Sequence, residues 1–119
     1  MLLADILERC HQDKKTGLLN IAVLQSPRFP LRIYVLEGEV TRLTFGPLAG
    51  VECFEYLEYF DLGDVNYLDG MVTPLGFDER LPTKTIIASL RALGKTVQIK
   101  LWFEKGALRH DAIVQINAK

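Results

Sequence analysis

Between Leu31 and Phe45 five apolar residues fall on odd positions, Leu31, Ile33, Val35, Leu43 and Phe45, with Arg32, Tyr34, Arg42 and Thr44 between them. Side chains alternate faces along a strand, so this spacing predicts two strands that each bury one side. For an antiparallel pair to keep odd residues on one face, the loop must hold an odd number of residues. Leu36-Glu37-Gly38 meets that condition, with Gly38 in the left-handed position of a bulged turn. A two-residue Glu37-Gly38 turn would divide the apolar set between the two faces. After Gly46-Pro47 the period becomes helical. Cys53, Phe54, Leu57 and Phe60 follow at i, i+1, i+4 and i+7, predicting a helix from about Leu48 that ends with Gly63 at C′.

The same reading extends in both directions. Leu3, Ile6, Leu7 and Cys10 form an apolar stripe on a first helix over about residues 2–13, and Lys14 and Lys15 suit the negative end of its dipole. Thr16-Gly17 turns into a strand over 18–25 with Leu19, Ile21 and Val23 on one face. Pro27 and Pro30 then impose a connection, because proline cannot donate to a ladder. Val65 and Tyr67 mark a short strand ending near Asp69-Gly70, and 72–82 reads as loop. Thr83 is placed to cap a helix over 84–93, with the stripe Ile86, Ile87, Leu90 and Leu93 and a stop at Gly94. Residues 96–118 read as a closing hairpin around Gly106, although Trp102 and Val114 interrupt its alternation. The predicted fold is α+β: an antiparallel sheet of hairpins with about three helices packed on it, in the order α-β-β-β-α-β-α-β-β, as one domain over 1–119.

Composition narrows the class. An apolar fraction of 49% and a charged fraction of 24% are those of a globular domain large enough to bury a core. The net charge of −1, with no basic run longer than Lys14-Lys15, lacks the footprint of a nucleic-acid binder. No apolar stretch approaches the roughly 18 residues of a membrane span. Met1-Leu2-Leu3 meets Asp5 without a basic n-region, unlike a secretory leader. Cys10 and Cys53 lie on predicted buried stripes and are expected as free thiols. A cytoplasmic location is the corresponding expectation.

The central stretch resembles the PATAN domain, a small α+β module found beside response-regulator receiver domains in bacteria. The likeness rests on Lys15-Thr16-Gly17-Leu18-Leu19, the hairpin Ile33-Tyr34-Val35-Leu36-Glu37-Gly38, the run Gly50-Val51-Glu52-Cys53, and Phe60 before Gly63. It covers roughly residues 2–92. Cys53 stands where that family usually has Ala and Phe60 where Trp is frequent; both keep the stripe apolar. The final hairpin, 96–118, has no counterpart. The resemblance implies a non-catalytic interaction module in two-component-type signalling, with another protein as partner: a response regulator or other signalling protein. It brings no cofactor and no catalytic residue. A receiver domain does not fit in this chain, so a phospho-signal would reach it from another protein or from a part outside this sequence.

The catalytic inventory is thin. His11 and His110 are the only histidines, and Ser26 and Ser89 the only serines. Ser89 falls inside a predicted helix, without the strained turn that exposes a nucleophile. Cys10, His11, Cys53 and His110 match no paired metal-ligand spacing. Gly94-Lys95-Thr96 ends a helix where a phosphate loop must open one. Asp78-Glu79 are adjacent acids in a proline- and glycine-containing loop. Opposite the stripe of the second helix, Glu52, Glu55 and Tyr59 recur at i, i+3 and i+7, flanked by Tyr56 and Glu58. This is either a solvated acidic face or an acidic-aromatic docking surface, and Trp102 raises the same choice between core and interface. The leading expectation is a non-enzymatic adaptor or regulatory domain without metal or cofactor, with self-association open. The alternative is a small-molecule sensor with a pocket between sheet and helices.

Overall fold

The computed structural model describes residues 1–73 and 81–104. In chain order the elements are α1 (Leu3–Gln12), β1 (Gly17–Val23), β2 (Leu31–Leu36), β3 (Glu39–Phe45), β4 (Leu48–Ala49), a 3-10 turn at Gly50–Glu52, α2 (Cys53–Leu57), β5 (Leu62–Asp69), α3 (Thr83–Leu93) and β6 (Gln98–Phe103). The six strands form one sheet in the order β4-β3-β2-β1-β5-β6. Its pairs are antiparallel except β5 with β6, which run parallel across the α3 crossover. The α+β class and the order of elements match the pattern read from the sequence.

One face of the sheet is buried. Leu19, Ile21 and Val23 of β1, Leu31, Ile33 and Val35 of β2, Leu43 and Phe45 of β3, and Val65 and Tyr67 of β5 join a single core. Leu3, Ile6, Leu7 and Cys10 of α1, Cys53 and Leu57 of α2, and Ile86, Ile87 and Leu90 of α3 complete it. The other face carries Asn20, Arg32 and Thr44, with Arg32 Nε donating to Asn20 Oδ1 at 3.2 Å. Odd residues 31–35 and 43–45 therefore face the core, as their spacing requires.

The hairpin reaches this register by a different route from the one expected. Leu36 pairs with Glu39, leaving a two-residue Glu37-Gly38 turn whose φ values are 49° and 83°. The parity that this turn would spoil is restored inside β3. Tyr34 opposes Arg42 while Val35 opposes Val40, so Thr41 is the extra residue of a bulge. Val40 and Leu43 can then share the buried face. Thr41 is itself buried, its hydroxyl 2.5 Å from that of Thr73.

Other boundaries also moved. The helix expected over 48–63 is shorter: Leu48–Ala49 pair with β3, a 3-10 turn follows, and α2 occupies only Cys53–Leu57. Gly63 lies within β5 and is not a helix C′ residue. The strand around Val65 and Tyr67 begins earlier, at Leu62, because Leu62 and Val23 meet on the core face across an irregularity in the ladder. Thr83 opens α3 as its first residue and makes no cap. Its hydroxyl instead donates to Glu39 Oε2 at 2.6 Å and accepts from Val40 N at 2.9 Å. Gly94 stops α3 at φ 66°, as expected. Of the closing hairpin, β6 is described and pairs with β5; residues 105–119, including His110, lie outside the described residues, as do Asp78 and Glu79.

The Glu37-Gly38 turn docks on the corner between α1 and β1. Gly38 N donates to Lys15 O at 2.8 Å, and Glu37 N donates to Thr16 Oγ1 at 2.9 Å. A Cβ on Gly38 would lie 2.6 Å from the His11 carbonyl oxygen, whereas one on Gly94 would meet nothing within 4 Å. Both glycines are left-handed, so the two separate strain from clash. Gly38→Ala should cost about 2–4 kcal/mol and Gly94→Ala about 1 kcal/mol in urea unfolding. Equal losses would show that the turn does not sit against α1.

Candidate functional site

α2 is short because it begins late. Leu48 and Ala49 are held in the sheet and Gly50, at φ 73°, redirects the chain, leaving one and a half turns before the chain must return as β5. Its inner side is fixed by Cys53 and Leu57, both fully buried, and by Phe60, whose ring meets Phe45 edge-to-face at 5.5 Å. Phe54 packs against the core while partly exposed. Lys95 Nζ donates to the Glu58 carbonyl at 3.2 Å, satisfying an acceptor just beyond the helix end.

The outer side of this unit is as the spacing anticipated. Glu52, Glu55, Glu58, Tyr56 and Tyr59 are all exposed, Tyr59 at 77% and Tyr56 at 48%. Among the described residues none of the three carboxylates has an ion-pair or hydrogen-bond partner. Val51 adds exposed apolar area on the turn leading into the helix.

Two further exposed apolar side chains stand at the same end of the sheet. Leu24 N donates to Asp61 O at 2.9 Å, and the Gln25 amide brackets Asp61, donating to Oδ2 at 2.9 Å and accepting from the backbone N at 2.8 Å. Leu24 is thereby held beside the segment leaving α2, 61% exposed. Phe29 lies over Gly46 in the neighbouring turn, so close that a Cβ there would sit 3.1 Å from its ring. The sequence carried a signal for both: Leu24 continues past the end of an alternating strand, and Phe29 sits between two prolines with no strand face to hide on.

Trp102 does not belong to this surface. β6 has an extra residue at Lys100: Val65 opposes Ile99 and Asn66 opposes Leu101, which turns Trp102 to the core face opposite Tyr67. Its indole stacks on the Tyr67 ring at 4.5 Å and 28°. It lies near the end of the sheet where Gly17 pairs with Asp69, whereas α2 packs at the opposite end through Phe45. Trp102 Nε1 donates to Glu104 Oε1 at 2.8 Å, and Lys15 Nζ lies 2.5 Å from the same oxygen. The Lys15 hydrogen bond, then that from Trp102, hold the Glu104 carboxyl below the usual carboxylate range. Tyr67 OH lies 2.5 Å from Asp69 Oδ1; burial first, then this bond, raise its hydroxyl above the usual tyrosine range. Burial pushes the Cys10 thiol up to about 12.

His11 is occupied structurally. Its Nδ1 donates to the Gly38 carbonyl at 2.9 Å and lies 3.5 Å from Glu39 Oε1. Ser89 lies within α3. Cys10 and Cys53 are free and buried. Among the described residues no group of three His, Cys, Asp or Glu side chains is placed to hold a metal, and no helix is long and apolar enough to cross a membrane. In comparisons with known proteins, the chain matches no family model, no curated protein and no solved structure.

Two consequences are measurable. A carboxyl whose folded-state pKa is lowered stabilises the fold above its unfolded value, near 4.5, and loses that contribution as pH falls through the folded value. The melting temperature of wild type should therefore exceed that of Glu104→Gln at neutral pH, with the gap closing in acid below about pH 4.5. A gap independent of pH would assign the effect to packing. The raised, buried Cys10 thiol should resist iodoacetamide at mildly alkaline pH in the native protein and react once urea unfolds it, as read by mass spectrometry; rapid native labelling would contradict its placement.

Proposed function

We propose that this chain is a non-catalytic protein-interaction domain of bacterial signal transduction, and that its partner docks on the outer side of α2 through Glu52, Glu55, Tyr56 and Tyr59. The observation that carries the proposal is the pairing of exposed tyrosines with carboxylates that have no partner among the described residues, on a unit whose inner side is locked into the core. Tyrosine offers large contact area at low entropic cost, and unpaired carboxylates favour a partner presenting lysines or arginines. Leu24 and Phe29 extend the apolar part of the surface at the same end. The resemblance to PATAN domains supports a response regulator or another cytoplasmic signalling protein as the partner.

The test separates binding from folding. Glu55→Arg combined with Tyr59→Ala changes exposed side chains and should shift stability by only about ±0.5 kcal/mol. It should also remove about 2 kcal/mol or more of binding, because a central tyrosine is lost and a repulsive charge is introduced. Leu57→Ala, in the core, should do the reverse and destabilise by about 2–5 kcal/mol. Thermal melts and quantitative capture from the native host, wild type against each variant, provide both readouts. A double variant that melts normally and captures every wild-type partner at full yield would place the docking surface elsewhere.

A further inference from the structure

A second surface, far from α2, has the character of a small-molecule site. A cleft of about 460 Å³ opens between α1 and β6. This volume lies within the range of small-ligand pockets, about 300–1,000 Å³. Its apolar lining is Met1, Ile6, Ile99 and Trp102. The indole that lines the cleft is pre-positioned: Tyr67 stacks on one ring face and Glu104 takes its N–H. A fixed indole face is a platform for a second planar ring.

Around this floor stand charges of both signs: Arg9 and Lys15, against Asp5, Asp13 and Glu104. They are mutually compensated without being used up. Arg9 donates to Asp13 Oδ2 through Nε alone, at 3.2 Å, leaving its two Nη groups for a carboxylate. Asp5 accepts from Arg91 through Oδ1, at 2.7 Å, leaving Oδ2 for an ammonium group. A lining with near-balanced charge gives a singly charged ligand little net attraction. A ligand that carries both signs on one apolar ring engages both sets.

We propose that the cleft between α1 and β6 binds a small aromatic zwitterion, the chemical class of the aromatic amino acids. The planar ring lies on Trp102 between Ile6 and Ile99, the carboxylate is received by Arg9, and the ammonium group by Asp5. Such a site makes the domain a sensor of a small metabolite, which is separate from docking at α2 and does not depend on it.

The chain contains a single tryptophan, so its emission reports on the cleft alone. Selectively excited Trp102 emission should change saturably on titration with L-phenylalanine, with matching heat in calorimetry. Phenylacetate and phenethylamine, each lacking one charge, should bind about fivefold more weakly or worse, as loss of one charge-assisted contact predicts. Arg9→Gln, at a side chain 74% exposed, should leave the melting temperature unchanged and weaken L-phenylalanine to a similar degree. Absence of a saturable response and of heat overturns the proposal. So does equal affinity for the two singly charged analogues, or an unchanged affinity in Arg9→Gln.

Discussion

Among the described residues the sheet is covered on one side only, and this imposes a single condition on every strand: its apolar residues must keep one parity from end to end. A slip of one residue exchanges the buried and solvent faces, and with them the whole hydrophobic set. Here the ladders are irregular at three places, and each irregularity maintains that condition. Thr41 corrects the short Glu37-Gly38 turn, the shift between Ile21 and Val23 lets Val23 and Leu62 meet in the core, and Lys100 sends Trp102 inward after Ile99. The helices then have a uniform apolar floor, and α1, α2 and α3 share it.

This condition explains what the sequence revealed and what it hid. The odd-numbered apolar set from Leu31 to Phe45 gave the buried face correctly, because parity is a property of side chains. It did not give the turn, because an odd insertion in the loop and an odd insertion in the strand produce the same alternation. Only Thr41, a β-branched polar residue that is buried and hydrogen-bonded, distinguishes the two, and its partner Thr73 is far along the chain. The same ambiguity made Trp102 look like an error in the pattern of β6. α2 was over-extended for a related reason. The periodicity of Cys53, Phe54, Leu57 and Phe60 is real, but Leu48 and Ala49 are drawn into the sheet by β3, and tertiary pairing overrides a local helical period. The parallel direction of β6 left no local trace at all, since it follows from the crossover of α3.

The acidic-aromatic side of α2 was legible because a buried stripe on a helix defines its opposite side. Leu24 and Phe29 were not assigned to it, because their placement depends on segments distant in sequence: Leu24 on hydrogen bonds to Asp61, Phe29 on packing over Gly46. The α1–β6 cleft was hidden for the same reason. Its residues come from the two ends of the described chain, and neither Arg9 nor Trp102 says anything about the other until the sheet order places β6 at an edge near the corner between α1 and β1.

The long-range clasp between Lys15 and Glu104 spans 89 residues. Loop-closure entropy grows with separation, and contacts between distant segments form after the local ones that shorten the path between them. The β2–β3 hairpin closes through two residues, and β1 joins it across one connection, so the meander is available early during synthesis. β6 must wait for β5 and for the whole of α3. The edge of β5 is therefore left open while the chain is still being made, and a newly emerging chain passes through a stage in which that strand is free to pair with a neighbour. β6 is the last of the described strands to arrive, and by pairing with β5 it covers that edge.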